Sequence, residues 1–289
     1  MSESVIKAPR PRVKSKTRLI SNIAVITVLS VFAFCQIFPF WLQLVQAVRP
    51  QSYLPDGRMH LLPESLNLKN FADALKLADL GTGYVNSAIA AGAYTALSLI
   101  IVLVCGYVLG KKSFPGKNII FICLMATMMI PGEVLMVPNY MLVIRLGMFN
   151  KLGALIFPGL VNIFGIFLVK QFMNTIPDVM LEAAEIDGAS ELRRLARIVL
   201  PLSMPIIGTY FILTFIAIWN DYLWPMIVLR TYEKFTLQLK IMTFSPMFAD
   251  SRDQVLRAAG LMITLAPVIA VYLIFQRQFI ESVSVTGIK

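Results

Sequence analysis

Charged residues are scarce in this chain. Asp, Glu, Lys and Arg together make up 15% of its 289 residues, whereas soluble domains typically carry about 25%. Hydrophobic residues make up 57%, and the mean hydropathy is +0.74. This balance excludes a soluble globular domain and indicates a protein that is embedded in a lipid bilayer.

Side chains that bind metals or nucleotides are also few. His60 is the only histidine, which excludes a multi-histidine site. A phosphate-binding loop of the form Gly-x4-Gly-Lys-Ser/Thr is absent, because Gly116-Lys117 is followed by Asn118. The three cysteines all lie in apolar segments, at Cys35, Cys105 and Cys123. Cysteines in such surroundings behave as small buried hydrophobes, so we expect no disulfide, metal or cofactor on this chain.

Apolar runs are what the sequence has in abundance. A helix needs about 20 mainly apolar residues to cross a bilayer, and six stretches qualify. They are, roughly, residues 20–47, 84–109, 118–138, 153–174, 204–229 and 256–276. Each run is continuous, without the in-and-out alternation of a barrel strand. The sequence therefore predicts an all-α polytopic membrane protein with six transmembrane helices, and Pro131 predicts a kink in the third.

The formal net charge of +10 could reflect nucleic acid binding or membrane topology. If the chain crosses the bilayer six times, fifteen of its 26 Lys and Arg residues fall on one side. They are Lys7, Arg10, Arg12, Lys14, Lys16, Arg18, Lys111, Lys112, Lys117, Lys170, Arg193, Arg194, Arg197, Arg277 and Lys289. The long segment 48–83 on the other side has four. Lys and Arg accumulate in cytoplasmic loops, so we expect both termini in the cytoplasm and no nucleic acid partner.

These assignments divide the chain into five parts. They are a basic cytoplasmic tail (1–18), a first transmembrane helix (19–47), an extracytoplasmic segment (48–83), a transmembrane core (84–280) and a cytoplasmic C-terminal tail (281–289). The first helix is expected to be retained, since its apolar run is longer than that of a cleaved signal peptide. A polar segment at 175–203, here called the polar island, interrupts the core.

The polar island carries the signals of two short helices. Pro177 suits the first turn of a helix, where its missing N–H costs nothing. Gly188 fits a helix C-terminus, since the left-handed conformation is cheap only without a side chain. Ser190 can cap a second helix, which Pro201 ends. We therefore predict two helices joined by a glycine bend.

The charge of the polar island helps to decide where it lies. From physics alone, an amphipathic loop lying on the bilayer stays an alternative to a docking element for another protein. Membrane-surface helices are usually basic, whereas here the acids outnumber the arginines. The acids are Asp178, Glu182, Glu185, Asp187 and Glu191, and the arginines are Arg193, Arg194 and Arg197. The excess of acid favours a docking element.

The motif in the polar island resembles that of a known family. It reads Glu-Ala-Ala, three residues, Gly, nine residues, Ile-x-Leu-Pro, and it is similar to the signature loop of ABC importer permeases. The matching residues are Glu182, Ala183, Ala184, Gly188, Ile198, Leu200 and Pro201. Four further segments resemble the carbohydrate-uptake branch, in particular the second permease of maltose-type systems: Asn86-Ser87, Ile130–Glu133, Ile186–Ala189 and Trp219–Tyr222. The similarity extends over residues 20–280, and the end, Val285–Lys289, lacks the last Gly of the family's tail.

The resemblance implies a multi-subunit importer in a bacterial plasma (inner) membrane. A second permease would complete a heterodimer, two cytoplasmic ATPases would hold ATP and Mg, and an extracytoplasmic binding protein would deliver a sugar or oligosaccharide. The loop 175–203 would then couple the ATPases to the transmembrane helices. The expected coupling residues are Glu182, Ala183, Ala184, Asp187, Gly188, Leu200 and Pro201.

Polar residues within apolar stretches are candidates for solute contact, because they are costly there unless they have a function. The candidates are Asn86, Glu133, Asn220, Asp221 and Tyr222. Aromatic faces beside acids and amides suit a sugar, with its C–H faces and hydroxyls. The alternative is that Glu133 and Asp221 only bind backbone groups freed near Pro131 and Pro225.

Three other functions stay open at this point. A permease for another polar solute, such as a glycerol phosphate or an acidic oligosaccharide, has the same signals. A membrane-embedded glycosidase or transferase would need paired carboxylates or a metal site, and Glu133 and Asp221 are the only clear intramembrane acids. A stand-alone channel leaves the polar island without a role.

Overall fold

The computed structural model describes residues 16–52, 60–77, 79–244 and 251–287. All regular secondary structure in these ranges is helical, which confirms the all-α fold. In chain order the helices are α1 (Lys16–Ala47), α2 (Lys69–Leu77), α3 (Leu80–Lys111), α4 (Lys117–Thr127), α5 (Met136–Arg145), α6 (Gly153–Ile156), α7 (Ile163–Met173), α8 (Asp178–Ile186), α9 (Glu191–Arg194), α10 (Leu200–Leu202), α11 (Met204–Asn220), α12 (Leu223–Val228), α13 (Leu237–Phe244) and α14 (Ser251–Gly287). Two 3-10 turns lie at Gly132–Leu135 and Tyr232–Lys234, and a π-helical turn joins α9 to α10 at Leu195–Val199. The predicted basic tail lies outside the described residues as far as residue 15.

Three described helices are long and apolar enough to cross a membrane. They are Ile20–Ala47 within α1, the whole of α3, and Gln254–Ile280 within α14. Two bent pairs raise the number to five if each pair is one span, by length and composition. The structure thus confirms a polytopic helical protein, and the count of six helices stays a prediction.

Both bends fall where proline interrupts an apolar run. Lys117–Thr127 and Gly132–Arg145 meet at 92°, and Pro131 between them has an extended ψ of 137°. The kink predicted at Pro131 is therefore confirmed. The second bend, of 76°, separates Glu191–Leu202 from Met204–Asn220, so the second helix of the polar island turns sharply into α11.

The fourth predicted stretch, 153–174, is not one continuous helix. Residues 157–162 are non-helical and separate the short α6 from α7. Gly159 has a left-handed φ of 77°, and Asn162 begins α7 by accepting a hydrogen bond from the Gly165 N–H at 2.8 Å. The Pro158-Gly159 pair and the capping residue Asn162 therefore interrupt the helix although the stretch is apolar.

Hydroxyl groups of α3 bind the backbone exposed by this break. The Tyr94 hydroxyl donates to the carbonyl of Gly159 at 2.6 Å, and the Ser98 hydroxyl donates to that of Leu160 at 2.8 Å. Ser98 also lies 2.7 Å from the hydroxyl of Tyr210 on α11. Non-helical backbone at membrane depth is tolerated only where protein groups satisfy it, and here α3 provides those groups.

The helix α3 is the centre of the fold, since it contributes to all three buried apolar clusters. One cluster contains Tyr107 and lies beside the polar island, where α3 packs closely on α7. A second contains Leu80 together with Trp219 of α11, and a third contains Ala90 together with Leu155 of α6. A movement of α3 would therefore displace residues in all three clusters.

Candidate functional site

The polar island forms two helices that meet at Gly188. The first is α8, and the second runs from Glu191 to Leu202 through the π-helical turn. Gly188 has a φ of 73°, its N–H donates to the Glu185 carbonyl at 3.0 Å, and the Ala189 N–H donates to the Ala184 carbonyl at 2.9 Å. These two bonds are those of a Schellman motif, so the predicted glycine bend is confirmed.

The starts of the two helices differ in detail from the prediction. Pro177 lies one residue before the first turn of α8, at the cap position with extended backbone. Ser190 lies at the cap position of the second helix, but its side chain makes no capping hydrogen bond. The second helix is instead held by ion pairs.

The polar island is anchored to the core by apolar side chains. Leu181 of α8 and Val199 of the second helix are buried in the same cluster as Val102 of α3 and Met173 of α7. A loop lying loosely on a membrane surface would bury neither side chain. The two helices therefore form a fixed part of the fold.

Two lysines at the end of α3 form ion pairs with both helices of the polar island. The Nζ atom of Lys111 lies 2.6 Å from Oδ1 of Asp178 at the start of α8, and it donates to the Ile176 carbonyl at 2.5 Å. Lys112 Nζ lies 2.6 Å from Oε1 of Glu191. Each helix of the polar island is thus tied to the same end of α3 by a charged group.

Glu191 and Arg194 form the centre of this network. The Tyr107 hydroxyl donates to Glu191 Oε1 at 2.5 Å, and Arg194 Nη2 lies 2.5 Å from Glu191 Oε2. The other terminal nitrogen of Arg194 pairs with Glu185 of α8. Although burial raises the pKa of Glu191, hydrogen bonds from Lys112 and Tyr107 and the charges of Lys112 and Arg194 hold it below its ordinary value. Glu191 is therefore ionised at neutral pH.

The outer face of the polar island is exposed. Glu182 and Asp187 are exposed and make no ion pair with any residue that the structure describes. Ile186 is 88% exposed and Leu192 is 75% exposed, with the small residue Ala183 also at the surface. Exposed apolar residues beside unpaired carboxylates, on a rigid support, are typical of a docking surface.

The structure places the seven predicted coupling residues on two parts of this surface. Glu182, Ala183, Asp187 and Gly188 are exposed along α8 and its end, and Ala184 is half-buried. Leu200 and Pro201 are exposed at the other end, just before the 76° bend into α11.

Sequence reasoning missed the residues that hold this surface in place. Lys111 and Lys112 were interpreted only as topology-determining charges, and Tyr107 as part of an apolar span. The adjacent lysines at a span end, together with the acid-rich motif, were the available signal. Nothing in the spacing indicates that Arg194, rather than Arg193 or Arg197, is the buried one.

Three of the five predicted solute-path residues, Asn86, Asn220 and Asp221, form hydrogen bonds within the chain. The side-chain amide of Asn86 donates to the carbonyls of Glu233 and Phe235, at 2.8 and 3.0 Å. Asn220 Oδ1 accepts from the Gln238 amide at 3.1 Å.

Asp221 binds backbone N–H groups at the break between α11 and α12. Its Oδ1 accepts from the N–H groups of Leu223 and Trp224, at 3.1 and 3.3 Å. It also lines a cavity of about 110 Å³ together with residues of α3 and α12. Glu133 is exposed on the turn before α5 and is not among the residues that line this cavity, and Tyr222 is exposed beside Asp221. Solute contact by these residues stays a prediction.

Among the described residues, no group of three or more His, Cys, Asp or Glu side chains is arranged to hold a metal ion.

A comparison with protein families decides the class of this chain. The family described as "Binding-protein-dependent transport system inner membrane component" matches residues 102–285. The chain belongs to this family. It is therefore the inner-membrane permease component of a binding-protein-dependent importer, and the predicted transporter role, as opposed to an enzyme, is confirmed.

Relatives of this permease have named roles. It is 33% identical, over 89% of its length and 92% of the relative, to the arabinooligosaccharides transport system permease protein AraQ of Halalkalibacterium halodurans. It is 31% identical, over 85% of its length and 89% of the relative, to the sn-glycerol-3-phosphate transport system permease protein UgpE of Pectobacterium atrosepticum. A chain of a bacterial ABC transporter involved in the import of the acidic polysaccharide alginate matches 93% of the permease and 100% of its own length, with a TM-score of 0.81 and 25% identity.

Proposed function

We propose that this permease is the transmembrane subunit of an ATP-driven importer for a sugar or oligosaccharide. The relative from Halalkalibacterium halodurans is named for arabinooligosaccharides, and the structural neighbour is involved in alginate import. Both solutes are built of sugar units. The exposed aromatic ring of Tyr222 and the acids Glu133 and Asp221 provide groups that suit such a solute.

The importer would contain four kinds of subunit. A second permease pairs with this chain, two cytoplasmic ATPases bind ATP and Mg, and an extracytoplasmic binding protein delivers the solute. Both termini and the polar island lie in the cytoplasm, as the Lys and Arg distribution predicts. The apolar side chains along α1 are largely exposed, which supports contact of that helix with lipid or with the second permease.

The proposed mechanism rests on one observation: α8 presents an exposed surface while its inner side is fixed to α3. We expect α8 to dock in a groove of an ATPase through Glu182, Ala183 and Asp187. Closure of the ATPases on ATP would then move α8, and α3 would move with it. A rigid-body switch of this kind changes the side from which the solute path opens.

Substitutions at Gly188 and Glu182 test the docking. Gly188→Val places a β-branched residue at a φ of 73°, which costs about 1–2 kcal/mol and straightens the bend. No atom of the described residues lies within 4 Å of the position of the added Cβ, so the substitution strains the backbone without a steric clash. Glu182→Lys reverses a charge on the docking surface. We expect both variants to reach the membrane at normal levels but to lose ATPase co-purification and uptake.

Gly188→Asn is the matched control, because asparagine tolerates the left-handed conformation. It is expected to retain the ATPases and most of the uptake. If Gly188→Val and Glu182→Lys both assemble and transport like the wild type, the polar island is a passive loop and the proposed mechanism fails.

An acidic solute is a second candidate. It is favoured by the relative named for sn-glycerol-3-phosphate and by the neighbour involved in alginate import. A binding screen of the partner binding protein against neutral oligosaccharides, glycerol phosphates and acidic oligosaccharides separates the two candidates, since only the cognate class will bind and stimulate uptake.

A further inference from the structure

The bend at Gly188 raises a mechanical problem. The backbone connection between α8 and the second helix consists of Asp187–Ser190, and a glycine at its centre is the most permissive residue for backbone rotation. The start of α8 is tied to α3 through Lys111, but a force applied near its C-terminal end could be lost in the bend. A stiff connection across the bend is needed for the movement of this end to reach the second helix.

Arg194 makes this connection through side chains. Its guanidinium pairs with Glu185 on α8 and with Glu191 on the second helix, and thereby bridges the two helices beside the bend. The planar guanidinium presents its donors in a fixed geometry. Arg194 is 8% exposed, whereas the side chains of Glu185 and Glu191 are 67% and 46% exposed, so a buried guanidinium holds two carboxylates that lie at the surface.

Glu191 continues the connection to α3. One carboxylate oxygen binds Arg194, while the other accepts from the Tyr107 hydroxyl at 2.5 Å and lies 2.6 Å from Lys112. Tyr107 is 2% exposed and is fixed in the apolar cluster beside the polar island. The path from α8 to the centre of the fold therefore runs through consecutive short polar contacts.

We infer that Arg194, Glu191 and Tyr107 form a linkage that transmits the movement of α8 to α3 during transport. This inference rests on the proposed function, because it assumes that an ATPase moves α8. The three residues are positioning residues: they bind neither ATP nor solute, and they make the docking helix and α3 move as one body.

The cost of burying Arg194 supports a role beyond stability. A buried ion pair is seldom more stabilising than apolar residues of similar volume, because desolvation offsets the attraction between the charges. The Nε atom of Arg194 is also buried, without a hydrogen-bond partner in the part of the chain that the structure describes. An apolar residue at this position would hold the helices together, but it would not fix their mutual orientation through directed bonds.

The test uses the complete importer, with both permeases, the ATPases and the binding protein, in proteoliposomes. Arg194→Gln removes the bridge across the bend, and Tyr107→Phe removes a single hydroxyl. We expect both complexes to retain their ATPases and their basal ATP hydrolysis. Solute transported per ATP hydrolysed should fall about tenfold in Arg194→Gln, on the scale of one charge-assisted hydrogen bond, and by a smaller factor in Tyr107→Phe.

Two substitutions elsewhere provide matched controls. Arg193→Gln makes the same chemical change one position away, at an exposed arginine without an ion pair among the described residues. Tyr272→Phe removes a hydroxyl from an exposed tyrosine on α14. Both are expected to keep the wild-type ratio of transport to hydrolysis. Arg194→Lys keeps the charge but lacks the two terminal nitrogens with which the guanidinium bridges two carboxylates. We therefore expect its ratio of transport to hydrolysis to lie between those of the wild type and Arg194→Gln.

Two results would overturn the linkage. A wild-type ratio in both Arg194→Gln and Tyr107→Phe means that movement passes by another route. Loss of the ATPases from the Arg194→Gln complex, with Arg193→Gln intact, means that Arg194 serves docking. The proposed function is judged separately by Gly188→Val, which is expected to lose the ATPases: if it loses them while the linkage variants transport normally, only the linkage is wrong.

Discussion

At the scale of single residues, Asp79 shows how charge fixes the end of α3 that lies away from the polar island. It precedes the helix with a φ of 45°, a left-handed conformation that is uncommon outside glycine. Lys240 of α13 is completely buried, and its Nζ atom lies 2.6 Å from Asp79 Oδ2 and 2.9 Å from the Asp79 carbonyl. The pair therefore ties α13 to the start of α3.

The Asp79–Lys240 pair predicts a pH dependence of stability. Hydrogen bonds from Lys240 and Thr82 lower the pKa of Asp79 from its ordinary value of 3.8. A carboxyl whose pKa is lowered on folding stabilises the protein above the unfolded pKa, and that contribution is lost as the pH falls through the folded value. We expect Asp79→Asn to lower the Tm of the detergent-purified chain at pH 7 by about 3–5 °C.

The difference between the wild type and Asp79→Asn should begin to narrow as the pH falls below the unfolded pKa of about 3.9, and it should vanish only below the lowered pKa of folded Asp79, where its carboxyl is neutral as well. Asp73→Asn, on α2, changes the net charge equally without touching Lys240 and serves as the control. A Tm difference that is the same at pH 7 and at pH 3.5 would contradict a stabilising charge at Asp79.

The role of a residue could be predicted from the sequence where a single physical property explains why that residue type occupies its position. Gly188 is such a case, because a helix end followed by a second helix requires a residue that accepts a positive φ. Tyr107 and Arg194 are the opposite case. The partner of Tyr107 is distant in sequence, so the pair is not visible before the chain folds. For Arg194, one sequence does not show which of three neighbouring arginines is buried.

At the scale of helices, α3 and α7 approach closely at glycines of α3. A Cβ atom added at Gly106 would lie 2.6 Å from Cγ1 of Val169, and one at Gly110 would lie 2.5 Å from Cβ of Met173. Small residues that let helix backbones approach are typical of membrane helix pairs. The two glycines lie in the half of α3 that leads to the polar island, where a tight contact keeps both helices together.

Substitution of these glycines tests the packing. Gly106→Ala forces Val169 and its backbone to shift, and overpacking of this kind typically costs about 1–3 kcal/mol. We expect its Tm in detergent to fall by about 5 °C. Gly92→Ala on the same helix is the matched control, because no described residue has an atom within 4 Å of its added Cβ and alanine is a better helix former by about 1 kcal/mol.

Equal stability of the two alanine variants would show that α3 and α7 do not pack tightly in the membrane. A fall in Gly92→Ala alone would contradict the open space that the described residues leave beside Gly92.

Helix positions were predictable in outline, and their interruptions only in part. The kink at Pro131 follows from the chemistry of proline. The break at 157–162 was missed because a run of apolar residues dominates any average over 153–174, although Pro158-Gly159 and Asn162 were visible as turn and cap residues. What makes the break possible in a membrane, the hydroxyls of Tyr94 and Ser98, is known only once the helices are packed.

At the scale of the whole molecule, the orientation in the membrane is the property that most needs a test. In a variant without Cys35, Cys105 and Cys123, single cysteines are introduced by Ser190→Cys in the polar island and by Ser65→Cys in the segment 48–83. Both serines are exposed. A membrane-impermeant maleimide should label only the second variant in spheroplasts, and both after permeabilisation.

Labelling of the Ser190→Cys variant in sealed spheroplasts would place the polar island outside the cytoplasm. That result would separate the docking surface from ATP and overturn the proposed orientation together with the coupling mechanism.

The break in the fourth apolar stretch also has a consequence for biosynthesis. A ribosome makes α3 well before residues 157–162, so the hydroxyls of Tyr94 and Ser98 are already in the bilayer when the two carbonyls that need them emerge. With the order of the two segments reversed, those carbonyls would face lipid first, at a cost of several kcal/mol each. The order of the helices along the gene thus lets the unwound segment 157–162 find its partners as it is inserted.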